Sequence, residues 1–163
     1  MNKQEVYQFL QEKNIWFEIT EHKAVYNMEE VAEIEIPYPK ADAKTLFIRD
    51  DKKKNYYLIT VKGSKRVNLK EFRKQYQTRP VSFASEQELL EKLGLIAGSV
   101  TPLGILNDQD KEVKVFFDRE LTENEGLIGV HPNENTATVW KTQDLIEIIR
   151  EHGNEVVIVD LKQ

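Results

Sequence analysis

The sequence contains no cysteine. That excludes thiol catalysis, disulfide scaffolds and Cys-ligated zinc together, and it fits a reducing compartment. Histidine is scarce as well: His22, His131 and His152 are the three present, and no HExxH or HxH spacing joins them. The 28 acidic residues form no recognisable ligand loop, so neither a metal nor another cofactor is expected. Nucleotide and serine-hydrolase signatures are missing too, since no GxSxG, GxxxxGK[ST] or GxGxxG occurs. Long apolar runs are absent. The densest late one, Val156-Val157-Ile158-Val159, falls far short of the ~20 residues that a membrane-spanning helix needs. Met1-Asn2-Lys3-Gln4-Glu5 leads into a charged stretch with no apolar signal core, so the expected location is the cytoplasm, with no membrane partner.

What is present is an ordinary globular composition: 163 residues, 40% apolar and 31% charged. A single domain over 1–163 is expected, long enough to bury a core without staples. The formal net charge of −5 hides an asymmetry. Between Lys40 and Pro80 stand 13 basic residues against Asp42, Asp50, Asp51 and Glu71, a local balance of +9, which leaves −14 for the rest. Such a division can mean only solubility, or it can mark a polyanionic partner.

Periodicity and turn chemistry predict a mixed α+β fold. Val6, Phe9 and Leu10 space an opening helix over residues 3–13, and Trp16–Thr20 alternates as a strand. Asn27 is placed to cap a short helix over Met28–Ile34, before the prolines of Ile36-Pro37-Tyr38-Pro39 break regular structure. Thr45–Arg49 and Tyr56–Val61 flank a polar loop and predict a hairpin. Asn68 caps a helix through Tyr76, and Ser85 with Glu88 forms a capping box for a helix that Gly94 ends. Residues 96–108 read as a structured loop. Val113–Phe117 is a strand, and Leu127–Val130 with Thr136–Trp140 a second hairpin around His131–Asn135. Thr142 caps a last helix to Arg150, Gly153 stops it, and Val156–Leu161 closes as a strand. The hairpins argue against a purely parallel sheet, so the fold class is α/β in the mixed α+β sense: a curled mixed sheet with surrounding helices.

Three segments can carry chemistry. Lys44, before an apolar strand, is either a solvated gatekeeper at a sheet edge or a point cation for a phosphate or developing oxyanion. Gly98-Ser99-Val100-Thr101-Pro102, with Gly104 beyond it, is either a tight turn or a loop whose amides approach an anion closely. Gly129–Thr138 is either a loop shaped by its own side chains or a polar pocket around His131 and the asparagines.

Four fragments in order then carry a resemblance. They are Lys44-Thr45-Leu46-Phe47-Ile48-Arg49-Asp50-Asp51, Ser82-Phe83-Ala84-Ser85, Gly98-Ser99-Val100-Thr101-Pro102-Leu103-Gly104, and His131-Pro132-Asn133-Glu134-Asn135-Thr136-Ala137-Thr138. Together they resemble the freestanding prolyl-tRNA editing proteins of the YbaK/ProRS-associated-domain family, from Glu21-His22 to Val159-Asp160-Leu161. The resemblance implies a trans-acting aminoacyl-tRNA deacylase using no metal and no protein nucleophile. Its substrate would be mischarged tRNA(Pro), first Ala-tRNA(Pro), with Cys-tRNA(Pro) or another small amino acid as fallback. A pocket fitted to proline gains only ~1–3 kcal/mol per missing methylene, which makes a second hydrolytic sieve useful.

By the same resemblance Lys44 is the functional lysine, Gly98, Ser99, Val100, Thr101 and Pro102 form the loop at the ester carbonyl, and His131 and Asn133 line the aminoacyl pocket. Thr45 stands where the family often has Asn and keeps a hydroxyl without the amide's reach. Lys52, Lys53, Lys54, Lys65 and Arg66 are expected to hold the acceptor arm. Prolyl-tRNA synthetase or an elongation factor is a conceivable further partner. A non-catalytic tRNA- or synthetase-binding module, or an acidic interaction protein, are the readings from other classes.

Overall fold

Tyr56–Lys62 alternates between two cores. Leu58 faces one and Ile59 and Val61 the other, all fully buried, so this strand lies inside a sheet covered on both sides. The computed structural model of the chain describes residues 8, 11–12, 17–21, 43–63, 65–96, 100–123, 127–133 and 136–161. Its strands are β1 (Phe17–Glu21), β2 (Ala43–Asp50), β3 (Tyr56–Lys62), β4 (Val81–Phe83), β5 (Val113–Asp118), β6 (Leu127–Asn133), β7 (Thr136–Lys141) and β8 (Val156–Val159). The α-helices described over their full length are α1 (Leu69–Tyr76), α2 (Glu86–Leu93) and α3 (Thr142–His152), with 3₁₀ turns at Pro102–Asn107 and Arg119–Thr122.

Five strands form an open mixed sheet in the order β4-β2-β3-β5-β8. β2 is antiparallel to both β3 and β4, whereas β3–β5 and β5–β8 are parallel. The other three form an antiparallel sheet, β1-β7-β6. The mixed sheet and its surrounding helices match the expectation, with the strands divided between two hydrogen-bonded sheets.

One face of the large sheet packs Phe47, Leu58, Val115 and Phe117 against Leu89 and Leu93 of α2, Leu103 and Ile105, and four residues of α3. The other packs Ile48, Ile59, Val61 and Phe116 against Phe72 of α1. On that side Phe72 meets Phe116 edge-on at 5.0 Å, and Tyr76 closes the cluster.

Local signals explain most boundaries. Asn68 Oδ1 accepts from the Glu71 amide at the start of α1. Ser85 and Glu88 form the reciprocal capping box of α2, and Gly94 ends that helix at φ 65°. Gly153 ends α3 at φ 114°. Other expectations need correction. Thr142 is the first residue of α3 rather than its cap, because its hydroxyl donates to the buried Leu121 carbonyl at 2.6 Å. β6 runs on through His131-Pro132-Asn133, where a loop was expected. The loop over 96–108 contains the 3₁₀ turn Pro102–Asn107, and the last strand stops at Val159. β4, only three residues long, had no sequence signal. Gln8, Gln11 and Glu12 are helical within the expected opening helix; the rest of that helix, Met28–Ile34 and Ile36–Pro39 lie outside the described residues.

Candidate nucleic-acid and ester site

Parallel pairing places the carboxyl ends of β3, β5 and β8 along one edge of the large sheet. Because β2 runs antiparallel to β3, its first residues reach the same edge, with Lys44 opposite Val61. Lys62 ends β3 there, Lys65 and Arg66 follow it, and Asp118, Arg119 and Glu120 lie at the end of β5. The edge outside the carboxyl ends of such strands is where open α/β sheets bind ligands.

Lys44 is half-buried and has no ion-pair partner among the described residues. Burial, and then the positive charge of Arg66, hold its pKa below the usual lysine value. It shares a face with its rung partner Val61, so it points to the α1 side of the sheet. Thr45 points to the other side, where its Oγ1 lies 3.1 Å from Oγ1 of the fully buried Thr60. The two adjacent residues thus point to opposite faces of the sheet.

Lys65 differs from its neighbour Arg66. Its side chain is turned inward, 7% exposed, and its ammonium bonds to Asp118 Oδ2 and to Glu120 Oε1 at 3.3 Å. Burial pulls the Lys65 pKa down, but the bonds to Asp118 and Glu120 outweigh it and hold the ammonium above its ordinary value. Lys65 is therefore engaged inside the protein, while Arg66 is exposed. Asp118 is 1% exposed, and its second oxygen, Oδ1, has no hydrogen-bond partner among the described residues.

Lys52, Lys53 and Lys54 sit at the opposite edge, at the β2–β3 turn. Asp50 builds that turn: its carboxylate accepts from the Lys54 amide at 2.9 Å and from Asn55 Nδ2 at 2.7 Å, and Lys53 takes φ 54°. The three ammonium groups project into solvent. Six strand steps separate this turn from the Lys44 rung, roughly 20 Å at ~3.3 Å per residue.

The glycine loop is described from Val100 onward, and Gly98 and Ser99 lie outside the described residues. Val100 packs on the core beside α2 and α3. Thr101 is buried, and its hydroxyl accepts from the Leu103 amide at 3.3 Å, capping the 3₁₀ turn that Pro102 begins. Gly104 answers a packing need: a Cβ there would stand 2.6 Å from Leu95 Cδ1 and 3.3 Å from Leu93 Cβ. Thr101, Pro102 and Gly104 thus anchor the loop from behind.

His131 and Asn133 lie on β6, where the register shifts between Val130↔Thr138 and Asn133↔Thr136. The extra residue makes a bulge, a position that tolerates the missing amide of Pro132 and re-aims neighbouring side chains. The side chains of His131 and Asn133 are outside the described residues.

Three further observations bound the site. No group of three or more His, Asp or Glu converges as a metal cage among the described residues. A hollow of about 370 Å³ opens at the amino edge of the sheet, but Glu91, Asp108, Asp110 and Glu112 line it, an environment that repels nucleic acid. No described helix is long and apolar enough to cross a membrane. Sequence reasoning missed the buried partner Asp118, which a lone strand-end Asp does not advertise. It also missed the basic face of α1, whose signal is Lys70, Arg73 and Lys74 at helical spacing opposite Leu69, Phe72 and Tyr76.

Comparison with known proteins gives the family and the fold. The model of the aminoacyl-tRNA editing domain family matches residues 22–148. Prolyl-tRNA editing protein ProX of Acetoanaerobium sticklandii is 37% identical over 160 residues, spanning 98% of this chain and 97% of that protein. Prolyl-tRNA synthetase associated domain-containing protein 1 of Mus musculus is 33% identical over 147 residues, covering 88% of this chain and 86% of its own. Among solved structures, a candidate trans-editing enzyme for prolyl-tRNA synthetase superposes with a TM-score of 0.71 at 17% identity, covering 98% of this chain and 96% of the other, which supports the fold. With the family model spanning most of the sequence and a relative matching nearly end to end, the chain belongs to the aminoacyl-tRNA editing domain family.

Proposed function

We propose that this chain, as an aminoacyl-tRNA deacylase, hydrolyses the ester of mischarged tRNA(Pro), with Ala-tRNA(Pro) as the first substrate. The observation that carries the reading is Lys44: a half-buried cation without a carboxylate partner among the described residues, at the carboxyl edge of the parallel strands and beside Arg66. An unneutralised cation in a partly dehydrated position suits an anionic ligand, here a terminal phosphate or the oxyanion of the ester.

In the reaction, water adds to the ester carbonyl carbon and charge builds on the carbonyl oxygen. The bond to the ribose oxygen then breaks, giving the free amino acid and a ribose hydroxyl that recovers the proton. Amides of the Gly98–Pro102 loop, braced by Thr101 and Pro102, receive the developing charge in this proposal. His131 and Asn133 line the amino-acid pocket on the β6 bulge. Thr45 is held by Thr60 and acts from the far face of the sheet, through the position of β2. Arg66 and the Lys52–Lys54 turn meet the tRNA; Lys65, engaged by Asp118 and Glu120, holds the segment that bears Arg66. Handover from prolyl-tRNA synthetase or an elongation factor belongs to the same proposal, as does the cytoplasm as its setting.

A deacylation panel over Ala-, Cys- and Pro-tRNA(Pro) tests it. Alanine release is expected to be fastest and to persist with a chelator. Lys44→Ala should cost ~10²–10³-fold in rate, the scale of a lost oxyanion partner. Unchanged turnover in the variant would overturn the site.

A further inference from the structure

We propose that the outward face of α1 is a docking surface for the phosphate backbone of an RNA duplex, joining the Lys44 edge to the Lys52–Lys54 turn. Helix α1 leaves the carboxyl edge just after Arg66 and packs Phe72 inward with Leu69 and Tyr76. Its far end returns to the hairpin tip, where the Asp51 amide donates to the Pro80 carbonyl at 2.9 Å and Arg79 pairs with Asp51. Lys70, Arg73 and Lys74, at i, i+3 and i+4, all face solvent.

The sequence asymmetry becomes an asymmetry of faces. Lys44, Arg66, Lys70, Arg73, Lys74, Lys53 and Lys54 form no ion pair with a described carboxylate, Lys52 feels Asp51 only at longer range, and all eight belong to this side or its two ends. The opposite side, formed by α2 and α3, exposes Glu86, Glu91, Glu147 and Glu151. The basic face runs roughly 20 Å along β3. Even at the ~3.4 Å per phosphate of one B-form DNA strand that length spans about six phosphates, and the shorter rise of an A-form RNA duplex fits at least as many. Phe83, 60% exposed, pairs with Ile48 and therefore stands on the same face, where it offers a stacking surface to an unpaired base. Distributed cations beside an exposed aromatic ring fit nucleic acid better than an acidic protein.

The identity of the RNA as an acceptor arm rests on the deacylase reading above; the surface itself does not. The test is binding of an uncharged acceptor-stem RNA hairpin, measured by fluorescence anisotropy across a salt series. Arg73→Glu/Lys74→Glu should weaken binding about tenfold and flatten the log–log salt slope by about 2, since each lost phosphate contact removes roughly 0.9. The neutral pair Arg73→Gln/Lys74→Gln, milder at a helix carboxyl end, should move both readouts the same way by less. Lys141→Glu/Arg150→Glu, with the same change in net charge near α3, should leave affinity within about twofold. Equal losses in the α1 and α3 pairs would reduce the effect to net charge and overturn the proposal. Unchanged binding in both α1 pairs would overturn it too and leave the face to a protein partner. Because the RNA carries no aminoacyl ester, failure to hydrolyse mischarged tRNA would sink the deacylase reading without touching this result.

Discussion

The two edges of the large sheet use the same residue types to opposite ends. At the hairpin-tip edge Lys52, Lys53 and Lys54 stay in solvent, while the charges nearest the core are neutralised close to home: Arg49 bonds to Glu88 at 3.1 Å and to Ser82 Oγ, Tyr56 donates to Glu88 at 3.0 Å, and Arg79 grips Asp51. At the carboxyl edge Lys65 is engaged by Asp118 and Glu120, and Arg119 by Asp160, yet Lys44 and Arg66 lie near each other without an ion pair among the described residues. Paired charge holds the fold together, whereas unpaired charge of one sign, partly buried, is a standing cost that an anionic ligand relieves. Lys44 and Lys52, both lysines of β2 and its turn and neither in an ion pair among the described residues, differ in burial: Lys44 is half-buried and Lys52 exposed.

The comparison breaks most visibly at Asp118. Asp118→Ala leaves the buried Lys65 ammonium with only the partly exposed Glu120 and should cost about 3 kcal/mol in urea unfolding, whereas Lys65→Met/Asp118→Leu should recover most of that stability. If the single and double variants are equally stable, the ion pair does not hold this edge.

Glu88 comes next. Burial alone would raise its pKa, but bonds from the Ser85 backbone, Tyr56 and Arg49 outweigh burial and hold it at about 2. A carboxylate depressed below its unfolded value of 4.5 stabilises the fold above that pH, and the contribution disappears as pH falls toward 2. The lost contribution is on the order of 3 kcal/mol. Melting of wild type and Glu88→Gln at pH 7, 4.5 and 2.5 should show their difference shrinking across the acid range; a constant gap would refute the assignment. The smallest effect belongs to Gly104→Ala. Its methyl would press on Leu95, for an expected loss of about 1–3 kcal/mol from overpacking. A neutral substitution there would mean that the turn gives way and that Gly104 has some other purpose.

Local chemistry made much of the fold legible. The β2–β3 hairpin, the Asn68 and Ser85 caps and the glycine stops at Gly94 and Gly153 depend on residues a few positions apart, so the sequence displays them. Features set by distant partners stayed hidden. Lys65 reads as one more surface lysine until Asp118, 53 residues on, turns it inward. Thr142 reads as a cap until the Leu121 carbonyl claims its hydroxyl. β4 is too short to show a period and exists because β2 offers it an edge. Within the site, alternation already places Lys44 and Thr45 on opposite faces, but nothing in their spacing sets Lys44 above an ordinary edge lysine. The resemblance raised it, and the unpaired setting at the carboxyl edge gives that choice a physical reason.

The most direct test sets the two edges against each other in one assay. Rates of alanine release from Ala-tRNA(Pro) should be measured for wild type, Lys44→Ala and Lys52→Ala under identical salt. The account predicts a kcat lowered ~10²-fold or more for Lys44→Ala, and for Lys52→Ala a change confined to KM that grows at low salt. Equal effects of the two substitutions, or a Lys44→Ala enzyme with wild-type kcat, would contradict it.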